Sequence, residues 1–166
     1  QEGKSDENAQ ALQIIYARAA DNYSKAIRFK AAFRLRRKLF LFQRRAVQFI
    51  LDNMQVLLAD ACGLGKTLTA IAAALACREG AKTQTLVVCP KSALEEVWVK
   101  EILASTDLTR DDICIATSRT KVEDMQGKYF VLSNYEAIKD IEKRRSALRP
   151  RLKKIKFDMI IIDEAH

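Results

Sequence analysis

The residues best suited to chemistry lie in two short segments, the first of which spans residues 60–67 and reads D-A-C-G-L-G-K-T. Glycines let the backbone wrap a phosphate group, a lysine can reach the terminal phosphates of a nucleotide, and a hydroxyl can hold Mg²⁺. The segment lies between a predicted strand and a predicted helix, although Asp60 stands where the general pattern has glycine. It therefore predicts that ATP is bound by Gly63, Leu64, Gly65, Lys66, Thr67 and Leu68.

The second segment, residues 159–166, reads M-I-I-I-D-E-A-H, and its Asp163 follows Lys66 by 97 residues. An apolar strand that ends in two adjacent acids is typical of a Walker B motif. Asp163 is expected to hold Mg²⁺ together with Thr67, and Glu164 to orient and activate the attacking water. We therefore predict that Lys66, Asp163 and Glu164 converge on one ATP–Mg²⁺ site and act in catalysis.

Short apolar runs that alternate with helical segments surround these motifs. Strands without polar alternation, each followed by a helix, predict an α/β fold with a mainly parallel sheet covered by helices on both faces. The carboxyl ends of such strands meet at one edge, where ligands bind. Predicted strands span 55–59, 85–89, 113–116, 129–133 and 157–163, and predicted helices span 8–38, 42–53, 66–79, 93–104 and 135–148.

The net charge of the chain is +8, and the excess of basic residues is concentrated in two regions. Residues 1–42 carry nine basic and four acidic groups, and residues 139–156 carry nine and two. Such regions suit nucleic acid, but solvated helix faces explain them equally well. No apolar run approaches the ~20 residues of a membrane span, so no membrane partner is expected. The spacing of the four cysteines does not predict a zinc site, and an intracellular, reducing location is expected.

Four segments show which family the chain resembles. Residues 60–67 resemble the D-E-M-G-L-G-K-T phosphate loop of Swi/Snf-type ATPases, in which aspartate also replaces the first glycine. Residues 39–47 (LFLFQRRAV) resemble the Q motif of that family, residues 86–94 (LVVCPKSAL) with Trp98 its motif Ia, and residues 131–136 (VLSNYE) its motif Ic. The order and spacing agree over residues 39–166, so the chain resembles the first RecA-like lobe of a helicase-like ATPase of superfamily two.

The resemblance implies further roles for individual residues. Gln43 would read the adenine ring. Lys91, Ser92, Ser133 and Asn134 would contact the nucleic-acid backbone, with Tyr135 nearby. Trp98 is interpreted as a packing residue rather than a base-stacking platform, and Ser133 has a helix cap as its alternative role.

The family also implies partners. Double-stranded DNA is the expected substrate surface, and ATP binds in a cleft closed by a second RecA-like lobe, normally of the same chain, whose arginines stabilise the transferring phosphate. We therefore expect residues 39–166 to be a first lobe that ends after motif II, preceded by a basic amphipathic helical extension over 1–38. Such a lobe would hydrolyse ATP slowly by itself. The nucleus is expected in a eukaryote, the cytoplasm or nucleoid in a prokaryote, and the host cell for a virus.

Two other hypotheses stay open from the sequence. The chain could be a non-catalytic DNA-binding module with a vestigial nucleotide site, although residues 65–67 and 163–164 argue against this. It could also be a lobe of another superfamily-two helicase or of a restriction translocase. Loss of ATP binding on Lys66→Ala would favour a motor lobe over the binding module.

Overall fold

The computed structural model describes residues 34–59, 63–78, 81–139 and 148–164. At the centre of these residues is a four-stranded sheet with the order β2-β3-β1-β4, in which every pair of neighbours is parallel. This confirms the predicted α/β class with a parallel sheet. The strands are β1 (Thr85–Cys89), β2 (Ile113–Ile115), β3 (Phe130–Asn134) and β4 (Met159–Ile162).

Strand β1 lies between β3 and β4, and all five of its residues are buried. Pro90 follows it, and a residue without an N–H cannot continue a ladder between two neighbours. The register pairs Cys89 with Asn134 of β3 and Val88 with Ile162 of β4. The carboxyl ends of these three strands therefore lie side by side, and Asp163 leaves the sheet at this edge.

Helices cover both faces of the sheet. One core cluster joins Val47, Ile71 and Trp98 to the β1 residues Val87 and Cys89, and a second joins Leu86, Val88 and Leu152 on the opposite face. The helices are α1 (Leu41–Asp52), α2 (Lys66–Ala76), a π-helical segment (Leu94–Val99) that continues into α3 (Lys100–Ser105), a 3₁₀ turn (Arg110–Asp112), α4 (Val122–Met125), α5 (Tyr135–Ile138) and α6 (Arg149–Leu152).

The predicted strand over residues 55–59 is wrong, because these residues pair with no strand in the described part of the chain. Leu57 is 87% exposed and Met54 is fully exposed. Strand β4 is consequently the edge of the sheet, and its Ile160 and Ile162 are each 60% exposed. An apolar run needs a ladder partner as well as the right residues to become a strand.

Most of the predicted helix over residues 8–38 lies outside the described residues, but its last five positions are not helical. Arg34 has a φ of 73°, and Leu35 forms an antiparallel bridge with Thr106. The backbone N–H of Arg36 donates to the carbonyl of Ser105 at 2.8 Å. Leu35 and Arg36 therefore run alongside the end of α3.

Two other helices end earlier than predicted. Helix α5 ends at Ile138, because Lys139 adopts an extended conformation. The predicted helix continued to residue 148, but its residues 140–147 lie outside the described ranges. Helix α2 ends at Ala76 rather than at residue 79. The other predicted strands and helices are confirmed to within about two residues. None of the helices in the described ranges is long and apolar enough to cross a membrane.

Candidate nucleotide site

The phosphate-loop segment is described from residue 63, and its two glycines both have left-handed backbone conformations. Gly63 has a φ of 83° and Gly65 a φ of 73°. Helix α2 begins at Lys66, immediately after Gly65, and its first turn carries no acidic residue. The N–H groups of this turn therefore form a positive end that suits an anion. A Cβ added at Gly63 would meet no atom within 4 Å, so a ligand has room to approach the backbone there.

Gln43 connects α1 to this loop. Its amide nitrogen Nε2 donates to the carbonyl oxygen of Leu64 at 3.2 Å, and its Oε1 accepts from the backbone N–H of Phe40 at 3.0 Å. The side chain is 3% exposed, and a Cβ added at Gly65 would lie only 2.7 Å from Nε2. The predicted adenine-reading residue is thus also the side chain that fastens the tip of the phosphate loop to α1, a contact across 21 residues that no local sequence pattern signals.

The remaining predicted residues of this segment lie along the start of α2. Lys66, Thr67 and Leu68 are partly buried, and Leu64 is 42% exposed. Helix α2 packs between α1 and the α3 region, and its buried face belongs to the same core cluster as Val87 and Cys89 of β1. The phosphate loop and the sheet are therefore parts of one packed unit.

Asp163 is held by three hydrogen bonds from three different elements. Its backbone N–H donates to the carbonyl of Val88 at 2.9 Å, and its carbonyl oxygen accepts from the Tyr135 hydroxyl at 2.5 Å. Its carboxylate oxygen Oδ2 accepts from the indole Nε1–H of Trp98 at 2.9 Å. The next residue, Glu164, is exposed and has a φ of 51°, a conformation that costs a non-glycine residue about 1–2 kcal/mol.

Negative charge at this strand end affects two neighbouring groups. Burial, followed by the charges of Asp163 and Glu164, raises the pKa of the Cys89 thiol to about 11. Burial, followed by Asp163, also raises the pKa of the Tyr135 hydroxyl. Cys89 therefore stays a thiol and Tyr135 stays a hydrogen-bond donor at neutral pH.

The four predicted nucleic-acid contacts differ in their surroundings. Lys91 and Ser92 are exposed in the turn after β1. Ser133 is completely buried, and its hydroxyl donates to the carbonyl of Ala116 at 3.0 Å, which favours a structural role. Asn134 caps α5, because its Oδ1 accepts from the backbone N–H of Ala137 at 2.8 Å. The helix-capping role considered for Ser133 is therefore taken by the next residue, Asn134.

Trp98 was expected to be a packing residue, and its 1% exposure fits that expectation. Its hydrogen bond to Asp163 was missed, since 65 residues separate the two partners and no local pattern signals the contact. The structure brings Gln43 to the phosphate loop and both Trp98 and Tyr135 to Asp163.

The fold and these strand-end contacts define a RecA-like α/β lobe. The sequence profile of the SNF2-related domain matches residues 42–166, which is most of the chain. The chain belongs to this family of SNF2-related domains, as its resemblance to Swi/Snf-type ATPases predicted.

Individual relatives agree with the family. The chain is 30% identical to the mouse and 31% identical to the human DNA annealing helicase and endonuclease ZRANB3, over 80% of its length in each case. It is 27% identical, over 66% of its length, to Transcription termination factor 2 of Drosophila melanogaster. The chain spans 12–14% of the length of these proteins.

A solved structure shares the fold. The SWI2/SNF2 ATPase core of Sulfolobus solfataricus, determined in complex with dsDNA, superimposes with a TM-score of 0.64 at 26% sequence identity. The match covers 83% of this chain and 28% of the other chain. It supports the RecA-like arrangement of the four-stranded sheet and its helices.

Proposed function

We propose that this chain is the ATP-binding lobe of a DNA-dependent ATPase that translocates on duplex DNA and remodels or anneals it. The observation that carries the proposal is the pairing, within one SNF2-related domain, of a glycine loop that opens α2 with a strand that delivers Asp163 to the sheet edge. An anion-binding helix start and a carboxylate at a parallel-sheet edge are the two halves of a nucleoside triphosphate site.

The phosphate end of ATP would lie on the loop and the start of α2. The backbone N–H groups of residues 63–67 would donate to phosphate oxygens, and the Lys66 ammonium would neutralise the terminal phosphates. The left-handed conformations of Gly63 and Gly65 support this role, because backbone turns of this kind can point successive N–H groups at one anion. Leu64 at the tip of the loop and Leu68 in the first turn of α2 would also contact the nucleotide.

The acids at the end of β4 would complete the site. Bound Mg²⁺ would neutralise charge on the β- and γ-phosphates. Thr67 offers a hydroxyl and Asp163 a carboxylate, the hard oxygen donors that this ion prefers. Glu164 would accept a proton from the attacking water, and its exposure leaves its carboxylate accessible to solvent.

The adenine ring would lie against α1. The amide of Gln43 is used in two internal hydrogen bonds, so contact with the base requires its remaining N–H or a shift of the side chain. Because this amide also holds Leu64, occupancy of the base pocket and the position of the phosphate loop would depend on one another.

Duplex DNA would contact the strand-end loops. The ammonium of Lys91 and the hydroxyl of Ser92 are exposed in the turn after β1, where a phosphate backbone could reach them. Asn134 lies at the corresponding end of β3, next to β1 in the sheet. A second RecA-like lobe would supply the arginines that speed hydrolysis, so this lobe by itself should bind ATP with low turnover.

The experiment that tests the proposal measures two ligands in parallel on the same variants. Filter binding with labelled ATP should show loss of about 10–100-fold in affinity for Lys66→Ala, since a charge-assisted contact contributes about 1.5–3 kcal/mol. Binding of a DNA duplex should be unchanged in that variant. Lys91→Ala should give the opposite result, with normal ATP affinity and weaker, less salt-sensitive DNA binding.

An exposed lysine on α3 provides the matched charge control. Lys100→Ala removes one exposed positive charge, which pairs with Glu96 and belongs to neither predicted site, and should alter the binding of neither ligand. If the wild-type lobe binds DNA but not ATP, the lobe is a DNA-binding module with a vestigial nucleotide site. If Lys66→Ala retains the wild-type ATP affinity, Lys66 does not bind the phosphates and the proposed site is wrong. DNA-stimulated turnover at the rate of an intact two-lobed motor would contradict the need for a second lobe.

A further inference from the structure

We propose that Trp98 and Tyr135 are positioning residues that preset Asp163 to receive magnesium, an inference that rests on the proposed function of this site. Neither residue belongs to the strand that carries Asp163. Trp98 comes from the π-helical segment after β1, and Tyr135 is the first residue of α5 after β3. Both of them donate to Asp163 across more than twenty residues of sequence.

The Trp98 contact fixes the carboxylate. An indole N–H can only donate, and a donor that is buried needs an acceptor. The Trp98 ring is 1% exposed and packs within the larger core cluster, so its direction is set by the core rather than by solvent. Its Nε1–H lies 2.9 Å from Oδ2. With Oδ2 accepting this hydrogen bond, Oδ1 would be the carboxylate oxygen more available to a cation.

The Tyr135 contact fixes the backbone at the same residue. Its hydroxyl donates to the Asp163 carbonyl oxygen, which belongs to the peptide unit that leads into Glu164. The backbone N–H of Asp163 is held separately by Val88 of β1. The peptide units on both sides of Asp163 are therefore anchored to neighbouring strands or their following helices, and the bend to the positive φ of Glu164 begins from a fixed point.

Fixed outer hydrogen bonds raise metal affinity because a carboxylate that is already oriented loses little freedom when the ion arrives. Removing such a partner of a metal ligand typically lowers metal affinity by about 10–100-fold. A residue that only packs would change the stability of the lobe and leave the magnesium dependence of ATP binding intact. The two roles therefore predict different measurements.

The test compares ATP affinity in saturating Mg²⁺ with ATP affinity in EDTA, by calorimetry on the 166-residue chain. The ratio of the two affinities measures what the ion contributes. Tyr135→Phe deletes one hydroxyl, and replacing Trp98 by its benzothienyl isostere deletes the N–H donor while keeping the bicyclic shape. Each change should lower the ratio by about 10-fold and alter the affinity in EDTA by less than about 2-fold.

Tyr129→Phe is the matched control, because Tyr129 is a buried tyrosine that precedes β3. It therefore lies at the amino ends of the strands, whereas Asp163 lies at their carboxyl ends. It should leave the ratio unchanged. Asp163→Ala should reduce the ratio to near one, which marks the full effect of losing the ligand.

The outcomes separate this inference from the proposed function. If Asp163→Ala lowers the ratio while Tyr135→Phe and the Trp98 isostere do not, Asp163 binds the ion without these two residues and the inference is overturned. If the two variants lower the ATP affinity equally in Mg²⁺ and in EDTA, their role is general packing and the inference is again overturned. If the wild-type chain binds no ATP under either condition, the proposed function fails and takes the inference with it.

Discussion

The two halves of the candidate site are held in place in different ways. At the acidic half, three hydrogen bonds from three elements converge on the single residue Asp163. At the phosphate-loop half, the tip of the loop is fastened through the amide of Gln43, and residues 54–59 before the loop join no strand of the described sheet. Leu57 in this segment is 87% exposed.

The difference indicates how the site would form. The carboxylate is oriented by the parallel sheet itself, because β1, β3 and β4 are in register and their ends bring Val88, Tyr135 and Asp163 together. The described part of the phosphate loop is instead held by the Gln43 amide and by the Thr69 hydroxyl, which donates to the Gly65 carbonyl at 3.2 Å, and it contains two glycines in left-handed conformations. We therefore expect the acidic half to be preset and the phosphate half to gain stability when ATP binds, by the linkage of binding to folding.

The largest expected effect is on the acidic half. Trp98→Ala removes a completely buried ring together with the donor to Asp163, and should lower the free energy of unfolding by about 3–5 kcal/mol. Chemical denaturation followed by far-UV circular dichroism measures this change. Val97→Ala is the neighbouring control, since Val97 is 42% exposed, and should cost less than about 1 kcal/mol. Equal losses in the two variants would show that Trp98 is not an anchor of the core.

On the phosphate half, Gly65→Ala should cost about 2–4 kcal/mol of stability. The new Cβ would be strained by the φ of 73° and would lie 2.7 Å from Gln43 Nε2. Gly63→Ala shares the positive φ but meets no atom within 4 Å, so about 1–2 kcal/mol is expected there. Thermal unfolding of both variants gives the comparison, and a Gly63→Ala cost equal to that of Gly65→Ala would contradict the close approach of Gln43.

Removing the fastening side chain should have a smaller effect. Gln43→Ala leaves the Phe40 N–H and the Leu64 carbonyl without their partner and should cost about 1–2 kcal/mol. Combined with Gly65→Ala, it removes the side chain that the new Cβ would strike. The double variant should therefore lose less stability than the sum of the two single losses. Additive losses in a double-mutant cycle would mean that the two residues do not touch. Gln126→Ala, at an exposed position, is the control.

The smallest effect is expected away from both halves. Arg110 and Glu95 form an ion pair at 2.6 Å with both side chains about half exposed, and exposed pairs of this kind contribute about 0–1 kcal/mol. Arg110→Ala should therefore change stability by less than about 1 kcal/mol and leave ATP affinity unaltered. A measurable loss of ATP affinity in Arg110→Ala would place part of the nucleotide site near the start of β2, outside both halves.

Much of the sheet could be predicted from the sequence because its strands are short apolar runs with clear ends. Residues 85–89 are the best example, since Pro90 closes the run and every side chain is buried. Residues 55–59 have a similar composition but pair with no described strand, and composition does not show which segments pair. The end of α5 at Ile138 was likewise invisible in a pattern that continues to residue 148.

The candidate site shows the same limit. The glycine loop and the acids at 163–164 could be proposed as site residues because neighbours in sequence carry their chemistry. The Trp98 and Tyr135 contacts to Asp163 span 65 and 28 residues and depend on the strand register, so spacing alone could not reveal them. The burial of Ser133 could not be predicted for a related reason: in a strand covered on both faces, even a polar side chain becomes buried. Its contact with nucleic acid stays a prediction.

The central claim is that the phosphate loop and Asp163 bind the same magnesium–ATP complex, and the chain contains its own reporter. Trp98 is its single tryptophan and donates to Asp163, so its indole N–H gives one resonance in a ¹⁵N spectrum. Adding ATP with Mg²⁺ should shift that resonance, and Lys66→Ala should abolish the shift at the same ligand concentrations. An unchanged indole resonance while ATP and Mg²⁺ bind, or a shift that survives Lys66→Ala, would contradict the claim.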